Sequence, residues 1–255
     1  AINECEDDCA CYSVWMSTDD GDSYLRVFCM ALENDYGLVR TAPEEEDEIL
    51  TVYLVDQGTK DLWWNDDSGY TKWESRKAST LDSIFDLAVE SEDTIYALEG
   101  MYADDADVSM SDKHGGPGSW SSAKDSKVDV GWSIVVRDGH VLVGGYESGK
   151  VGFSDDSASS FSKLDDIGSG TVTCAFDTYY DQNDYVYAAV FGDMGDDGVY
   201  RTTVADGDFS NMDAPDMGGY IGVVTELSQS GNPKTTSTTG GVLYALGWEG
   251  MARQL

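Results

Sequence analysis

The stretch STDDGDSY at 17–24 decides the reading of this chain, because it returns. Ser17, Asp19, Gly21 and Tyr24 spell S-x-D-x-G-x-x-Y. SDDSASSF at 154–161 repeats it through Ser154, Asp156, Ala158 and Phe161, with Ala in the Gly place. NDDSGYTKW at 65–73 is a close variant: Asn65, Asp67, Gly69, Thr71 and Trp73, with one extra residue before the aromatic. SDKHGGPGSW at 111–120 is a worn copy swollen by an insertion, and a fainter one runs from Thr202 to Phe209. Each copy follows a short apolar run: SVWM, DLWW, DVSM, KVGF and GVYR.

The pattern describes a β-hairpin with a stitched turn. Gly supplies a backbone position with positive φ. Asp and Ser/Thr side chains can bond the turn amides that the strand ladder leaves open. The aromatic opens the return strand and can pack under the turn. The copies recur at steps of about 43–48 residues, the length of one four-stranded propeller blade. A second marker keeps the same step: TVYLV (51–55), TIYAL (94–98), HVLVG (140–144), YVYAA (185–189) and VLYAL (242–246). These runs are β-branched and aromatic-rich, as inner strands are. A further strand precedes most of them: SIFDLAV, GWSIVV, TVTCAF and YIGVV. Each blade is therefore expected to run strand A, strand B, strand C, the aspartate turn, then strand D.

These repeats resemble the Asp-box, or BNR, repeat of β-propellers, a family that includes sialidases, sortilin-type receptor domains, some glycoside hydrolases, photosystem II assembly factors and surface proteins. The resemblance covers nearly the whole chain. It implies an all-β propeller of four-stranded antiparallel blades, about five in this chain, in one domain over 1–255 with a Cys-rich segment at 1–12. It implies little about function, since the box serves its hairpin. The box residues Ser17, Asp19, Gly21, Tyr24, Asn65, Asp67, Gly69, Trp73, Ser154, Asp156 and Phe161 are accordingly expected to be structural.

The span from Ser17 to Gln254 holds five such periods, and GMAR near the end aligns with GVYR at 198–201. Two arrangements follow. The last blade could combine YIGVV and VLYAL with the N-terminal SVWM and YLRVF, closing the ring and removing a sheet edge. Alternatively the ring is larger and is completed by other sequence.

Charge narrows the partners. The chain has 255 residues and a formal net charge of −34, from 15 Lys and Arg against 49 Asp and Glu. Binding to nucleic acid through phosphates, or to anionic membrane surfaces, has the wrong electrostatic sign. No stretch approaches the roughly 18–20 apolar residues of a membrane span. The start, AINECEDDCAC, lacks the basic and apolar regions of a signal peptide. Abundant Asp and scarce Lys suit a saline or calcium-containing exterior. PEEEDEI at 43–49 reads as a solvated acidic loop, and SQSGNPKTTSTTGG at 228–241 as an exposed one.

Of five cysteines, Cys5, Cys9, Cys11 and Cys29 lie near the N-terminus and Cys174 stands apart. Their spacing matches no zinc pattern. Strands around the turn at Asp19–Gly21 should pair with residue numbers summing to about 41. That sets Cys11 beside Cys29 and makes a cross-strand disulfide geometrically reasonable, in an oxidising compartment. Cys5 and Cys9 would be left to each other, and Cys174 reads as a small buried residue.

Catalytic signals are few. A sialidase needs arginines converging on a carboxylate, but Arg26, Arg201 and Arg253 fall on outer strands. Carboxylates near the axis, such as Asp82, Asp86 or Asp177, could form a glycosidase pair, though turn roles suit them better. His114 and His140 sit in turn contexts without partners at metal or triad spacing. No phosphate loop or thiol motif is present. No cofactor is required; calcium is the one candidate, at DDADVSMSD (104–112) or GDMGDDG (192–198), where carboxylates gather in one loop. The expectation is a non-enzymatic extracellular structural or adhesive protein of a surface layer or filament, acting through self-association or neighbouring surface proteins. The alternatives are a glycan- or protein-binding module and a glycoside hydrolase with paired carboxylates.

Overall fold

The B strands are buried on both faces, which is why they read as unbroken apolar runs instead of alternating ones. In the computed structural model, which describes residues 12–30, 36–43, 50–70, 72–101, 103, 106–192, 197–212, 220–225 and 243–247, they are the second strands of successive antiparallel sheets. A first hairpin pairs β1 (Tyr12–Met16) with β2 (Leu25–Met30). The first full blade is β3 (Gly37–Thr41), β4 (Val52–Asp56), β5 (Asp61–Asn65) and β6 (Glu74–Lys77). The second is β7 (Asp86–Val89), β8 (Ile95–Leu98), β9 (Asp107–Ser111) and β10 (Lys124–Asp125). The third is β11 (Gly131–Arg137), β12 (His140–Gly145), β13 (Val151–Ser154) and β14 (Ser162–Lys163). The fourth is β15 (Thr171–Phe176), then a single helical turn α1 (Tyr180–Asn183), β16 (Tyr185–Phe191), β17 (Gly198–Thr203) and β18 (Ser210–Asn211). A last hairpin pairs β19 (Tyr220–Thr225) with β20 (Leu243–Gly247).

The fold is thus an all-β propeller: four four-stranded blades flanked by two two-stranded sheets. The first hairpin supplies strands of C and D type and the last supplies A and B. Among the described residues they remain separate sheets.

The core lies between blades. Val14, Val27 and Phe28 of the first hairpin pack on Val52, Leu54 and Trp73 of the first blade. Tyr53, Val55 and Leu62 meet Leu87, Ile95 and Trp120 of the second. Tyr96, Leu98 and Val108 meet Ile134, Val141 and Val143 of the third. Leu142, Val151 and Phe153 meet Val172, Val186 and Val190 of the fourth. Close packing at each interface leaves little room for side chains at crossing points. A Cβ on Gly152 would lie 1.9 Å from the Ser126 carbonyl oxygen.

One register runs through all four blades. The residue opening each turn, Asn65, Ser111, Ser154 or Thr202, pairs with the first residues of strand B: Val52, Ile95, Val141 and Val186. In the first hairpin the register differs from the expected sum. Trp15 pairs with Arg26 and Met16 with Leu25, but a bulge at Val14/Trp15 shifts Ser13 opposite Cys29. Beyond the bulge the pair numbers therefore sum to 42 instead of 41. The bulge inserts one residue on one strand, which no turn-based count can foresee. Cys11 lies outside the described residues, so the expected Cys11–Cys29 pairing does too; no disulfide is present among the described residues.

Candidate functional site

The repeated turns lie at the A–B end of the blades. Ser154 Oγ accepts from the amides of Asp156 at 3.3 Å and Ala158 at 3.0 Å and donates to Asp156 Oδ1 at 2.8 Å. Asp156 then accepts from the Ser160 amide at 2.9 Å and the Ser160 hydroxyl at 2.7 Å. Around Ser17, Asp19 and Ser23 the same bonds recur, with Gly21 N–H to Ser17 Oγ at 2.8 Å and Ser23 N–H to Asp19 Oδ1 at 2.9 Å. These bonds, first those from Ser23 and Ser160, hold the carboxyls of Asp19 and Asp156 below the usual carboxylate range. Asn65 Oδ1 accepts from Asp67 at 3.0 Å and Gly69 at 2.6 Å. Ser111 Oγ does the same for Lys113 and Gly115, at 3.3 and 3.0 Å, although the Asp has become Lys113. The residues at the third and fourth places after the opener are left-handed in all four turns: Asp20–Gly21, Ser68–Gly69, His114–Gly115 and Ser157–Ala158.

The amide of the third place is also tied to the A–B loop of its own blade: Ser68 to Leu50 O, His114 to Asp93 O and Ser157 to Gly139 O. The closing aromatics Trp73, Trp120 and Phe161 are buried, whereas Tyr24 is exposed. Trp120 Nε1 donates back to Gly115 O at 3.1 Å. Turn groups in this arrangement bond to one another, and none faces the mouth described next. The faint copy from Thr202 makes a different turn, with Asp206 N–H donating to Thr203 Oγ1 at 3.2 Å.

At the opposite end, where D–A and B–C loops meet, four rings from three blades come together. Phe85, just before β7, lies 5.3 Å from Trp132 of β11. Trp132 lies 5.6 Å from Tyr146, just after β12, and 6.0 Å from Phe191, the last residue of β16. All four are half-buried. The rings are brought together by backbone crowding. A Cβ on Gly100 would lie 2.6 Å from Phe85 and 2.4 Å from the Gly131 carbonyl oxygen. The Gln57 side chain donates to Phe85 O at 2.6 Å, and the Tyr146 amide to Val130 O at 2.8 Å.

Carboxylates border this cluster. Glu99, at the end of strand B in the second blade, is buried and accepts from the Asp82 amide. Burial pushes its carboxyl up; backbone bonds from Asp82 and Ser83 oppose this, while the Asp107 and Asp82 charges add to it. Glu147, whose amide donates to Thr171 Oγ1 at 3.1 Å, stands beside Tyr146 and pushes its hydroxyl up. The sequence offered no sign of this site, because Phe85, Trp132, Tyr146 and Phe191 each look like ordinary strand aromatics. The usable signal is repeat phase: each lies at or within two residues of an A- or B-strand end on one side of the blades.

The carboxylates weighed from sequence go to different tasks. Asp86 is a strand residue on β7, bonded to Arg40 of β3 at 2.8 Å and to the Ile134 amide of β11 at 3.0 Å. Asp177 accepts from Tyr179 N–H, Asn183 Nδ2 and the Tyr187 hydroxyl at 2.7–3.1 Å. Asp82 is exposed and pairs with Lys60 at 3.1 Å. Arg40 and Arg137 do lie on inner strands, but Arg137 donates to Asp177 O and Thr178 O of the next blade. His114 bonds Glu92 O at 2.8 Å and Asp93 at 2.8 Å; His140 bonds the Tyr180 hydroxyl at 2.6 Å. Parts of both calcium candidates, residues 104, 105 and 193–196, lie outside the described residues. Among the described residues no three His, Cys, Asp or Glu side chains gather to hold a metal ion. Burial pushes the Cys174 thiol up to about 12, far from the thiolate a nucleophile needs.

No protein-family model and no curated protein matches the chain. Solved structures do. The chain is similar to an ancestral GH74 enzyme, with a TM-score of 0.62 and 16% identity over 91% of this chain and 35% of that one. It is also similar to YCF48 bound to D1 peptide, with a TM-score of 0.50 and 14% identity over 85% of this chain and 65% of that one. The chain therefore spans between a third and two thirds of those two structures' length. At such identities the likeness is one of fold.

Proposed function

We propose that this chain is a binding module of the Asp-box type, which adheres to a partner through the mouth formed by Phe85, Trp132, Tyr146 and Phe191. The observation that carries the reading is the convergence of four half-buried rings from three blades on one face. Large aromatic surface of this kind is typical of recognition sites. This mouth lies at the strand end away from the stitched turns, which supports reading the turns as structural and the other end as the recognition end. The reading keeps the protein extracellular or at the cell surface, in line with its acidity, with calcium as an optional rather than a required ligand.

Catalysis is the less favoured reading. Glu99 has the raised carboxyl that a general acid needs. Its oxygens, however, are spent on the amides that open the second blade. The test is direct. Wild type and Trp132→Leu are assayed for binding to immobilised peptides and glycans, and wild type and Glu99→Gln for hydrolysis of aryl glycosides. Saturable binding lost in Trp132→Leu, without turnover, supports the module. Turnover abolished by Glu99→Gln would replace it with an enzyme.

A second reading has its own observation. Trp15, Tyr24 and Leu25 of the first hairpin are more than half exposed, at 57, 62 and 57%. Exposed apolar side chains on this hairpin fit the surface-layer or filament reading, in which neighbouring copies associate. Sedimentation over a concentration series tests it, with Trp15→Ser expected to weaken any self-association.

A further inference from the structure

We propose that the aromatic mouth takes a cationic side chain, an arginine or lysine presented by a peptide or protein partner, seated on Trp132 with its charge toward Glu147. The inference rests on the binding reading above and names its ligand class.

Three observations carry it. Trp132 is the hub of the cluster, touching Phe85, Tyr146 and Phe191 at 5.3, 5.6 and 6.0 Å. Indole is the strongest of the aromatic faces for a cation. Secondly, the border of the mouth is acidic. Glu99 and Asp107 interact electrostatically, and Glu147 stands beside Tyr146. With a net charge of −34, the field over the whole surface favours cations and disfavours anions. Thirdly, the chain stacks its own scarce arginines on rings elsewhere. Arg76 lies over Trp64 at 5.1 Å and Arg201 over Tyr185 at 4.5 Å. Among the described residues no cation of this chain occupies Trp132. The partner would supply one.

The chemistry separates this ligand from a neutral sugar. A sugar would stack on Trp132 by its C–H face and feel little of the carboxylates' charge. A guanidinium or ammonium gains from both ring and carboxylate, and its binding weakens with salt.

The experiment is calorimetric titration of the folded chain with an acetylated Arg-Gly-Arg amide and, separately, with cellohexaose, at about 50 mM and about 300 mM NaCl. Wild type is compared with Trp132→Leu, Trp132→Phe, Glu147→Gln and, as a charge control at the opposite end of the blades, Asp155→Asn in the exposed turn after β13. Thermal melts establish that each variant is folded. The expected result is saturable peptide binding that weakens about tenfold in Trp132→Leu, less in Trp132→Phe, and also in Glu147→Gln, while Asp155→Asn behaves as wild type. Equal loss in Asp155→Asn, or none in Trp132→Leu, would show only diffuse attraction to an acidic protein and overturn the proposal. Binding of cellohexaose but not the peptide, lost in Trp132→Leu, would overturn the cationic ligand while keeping the mouth as a binding site. Absence of binding by both probes would overturn the proposal and remove the support for the mouth.

Discussion

Ser154 is almost fully buried, and its hydroxyl is the acceptor that closes its turn. Ser17 makes the same bonds in a turn open to water. Burial therefore separates two chemically identical sites. Ser154→Ala leaves the Asp156 and Ala158 amides short of an acceptor in a dry environment, and should cost about 1–2 kcal/mol in urea denaturation. Ser17→Ala should cost clearly less, because water can take the place of the hydroxyl. Equal losses would mean that the turn bonds, and not their burial, set the energy. Asp156 adds a pH arm. Its carboxyl is held low in the fold, first by the Ser160 hydroxyl, so its contribution is present above the usual carboxylate range and lost as pH falls through the lowered value. The gap between wild type and Asp156→Ala should narrow on acidification. Ser23 and Ser160, the far partners of Asp19 and Asp156, went unnoticed in the sequence. The motif drew attention to its aromatic instead, and Ser at that place is unremarkable in a chain rich in Ser and Asp.

Strands are held to strands around the axis by side chains reaching from one A strand to the next. Arg40 of β3 bonds Asp86 and Leu87 O of β7. Asp86 bonds Ile134 N–H of β11, and Ser133 of β11 bonds Val172 O of β15 at 3.0 Å. Burial raises the Asp86 carboxyl, and the Arg40 charge and three hydrogen bonds oppose the rise. Asp86→Ala would leave Arg40 and two backbone amides without their acceptor at the centre of three blades. A loss of about 2–4 kcal/mol is expected in equilibrium denaturation, against about 0.5 kcal/mol or less for exposed Asp82→Ala. Similar effects for the two would argue that the inner girdle contributes nothing. The B strands could be read from sequence because burial on both faces leaves continuous apolar runs. Strand β3 could not, since GLVRT alternates between half-buried and exposed places and carries a polar residue to its neighbour. Strands β10, β14 and β18 are two residues long, too short for any periodicity. The helical turn α1 forms where Asp177 caps a loop, a role visible only once Tyr187 and Asn183 are in place.

For the whole molecule, the repeat period made the architecture legible, while the mouth stayed hidden. Its rings are separated by up to 106 positions, from Phe85 to Phe191, and meet only because each blade returns the chain to the same end. Charge acts at this largest scale as well. A net charge of −34 on one small protein is self-repelling, and the compact state suffers more from it than the expanded chain. Repulsion between exposed charges is long-ranged at low ionic strength and short-ranged at high. The screening length falls from about 30 Å at 0.01 M to about 3 Å at 1 M. Melting temperature at pH 7 should therefore rise from about 0.01 M to about 0.5 M NaCl. The few ion pairs, such as Lys150–Asp129 and Lys163–Asp166, are partly exposed and too weak individually to reverse the trend. Near pH 4.1, where the net charge vanishes, the same salt series should leave the melting temperature almost unchanged. A flat response at pH 7 would mean that neighbouring blades already neutralise the field locally. A response that persists undiminished at the isoelectric point would assign the effect to salt acting on apolar burial instead of on charge.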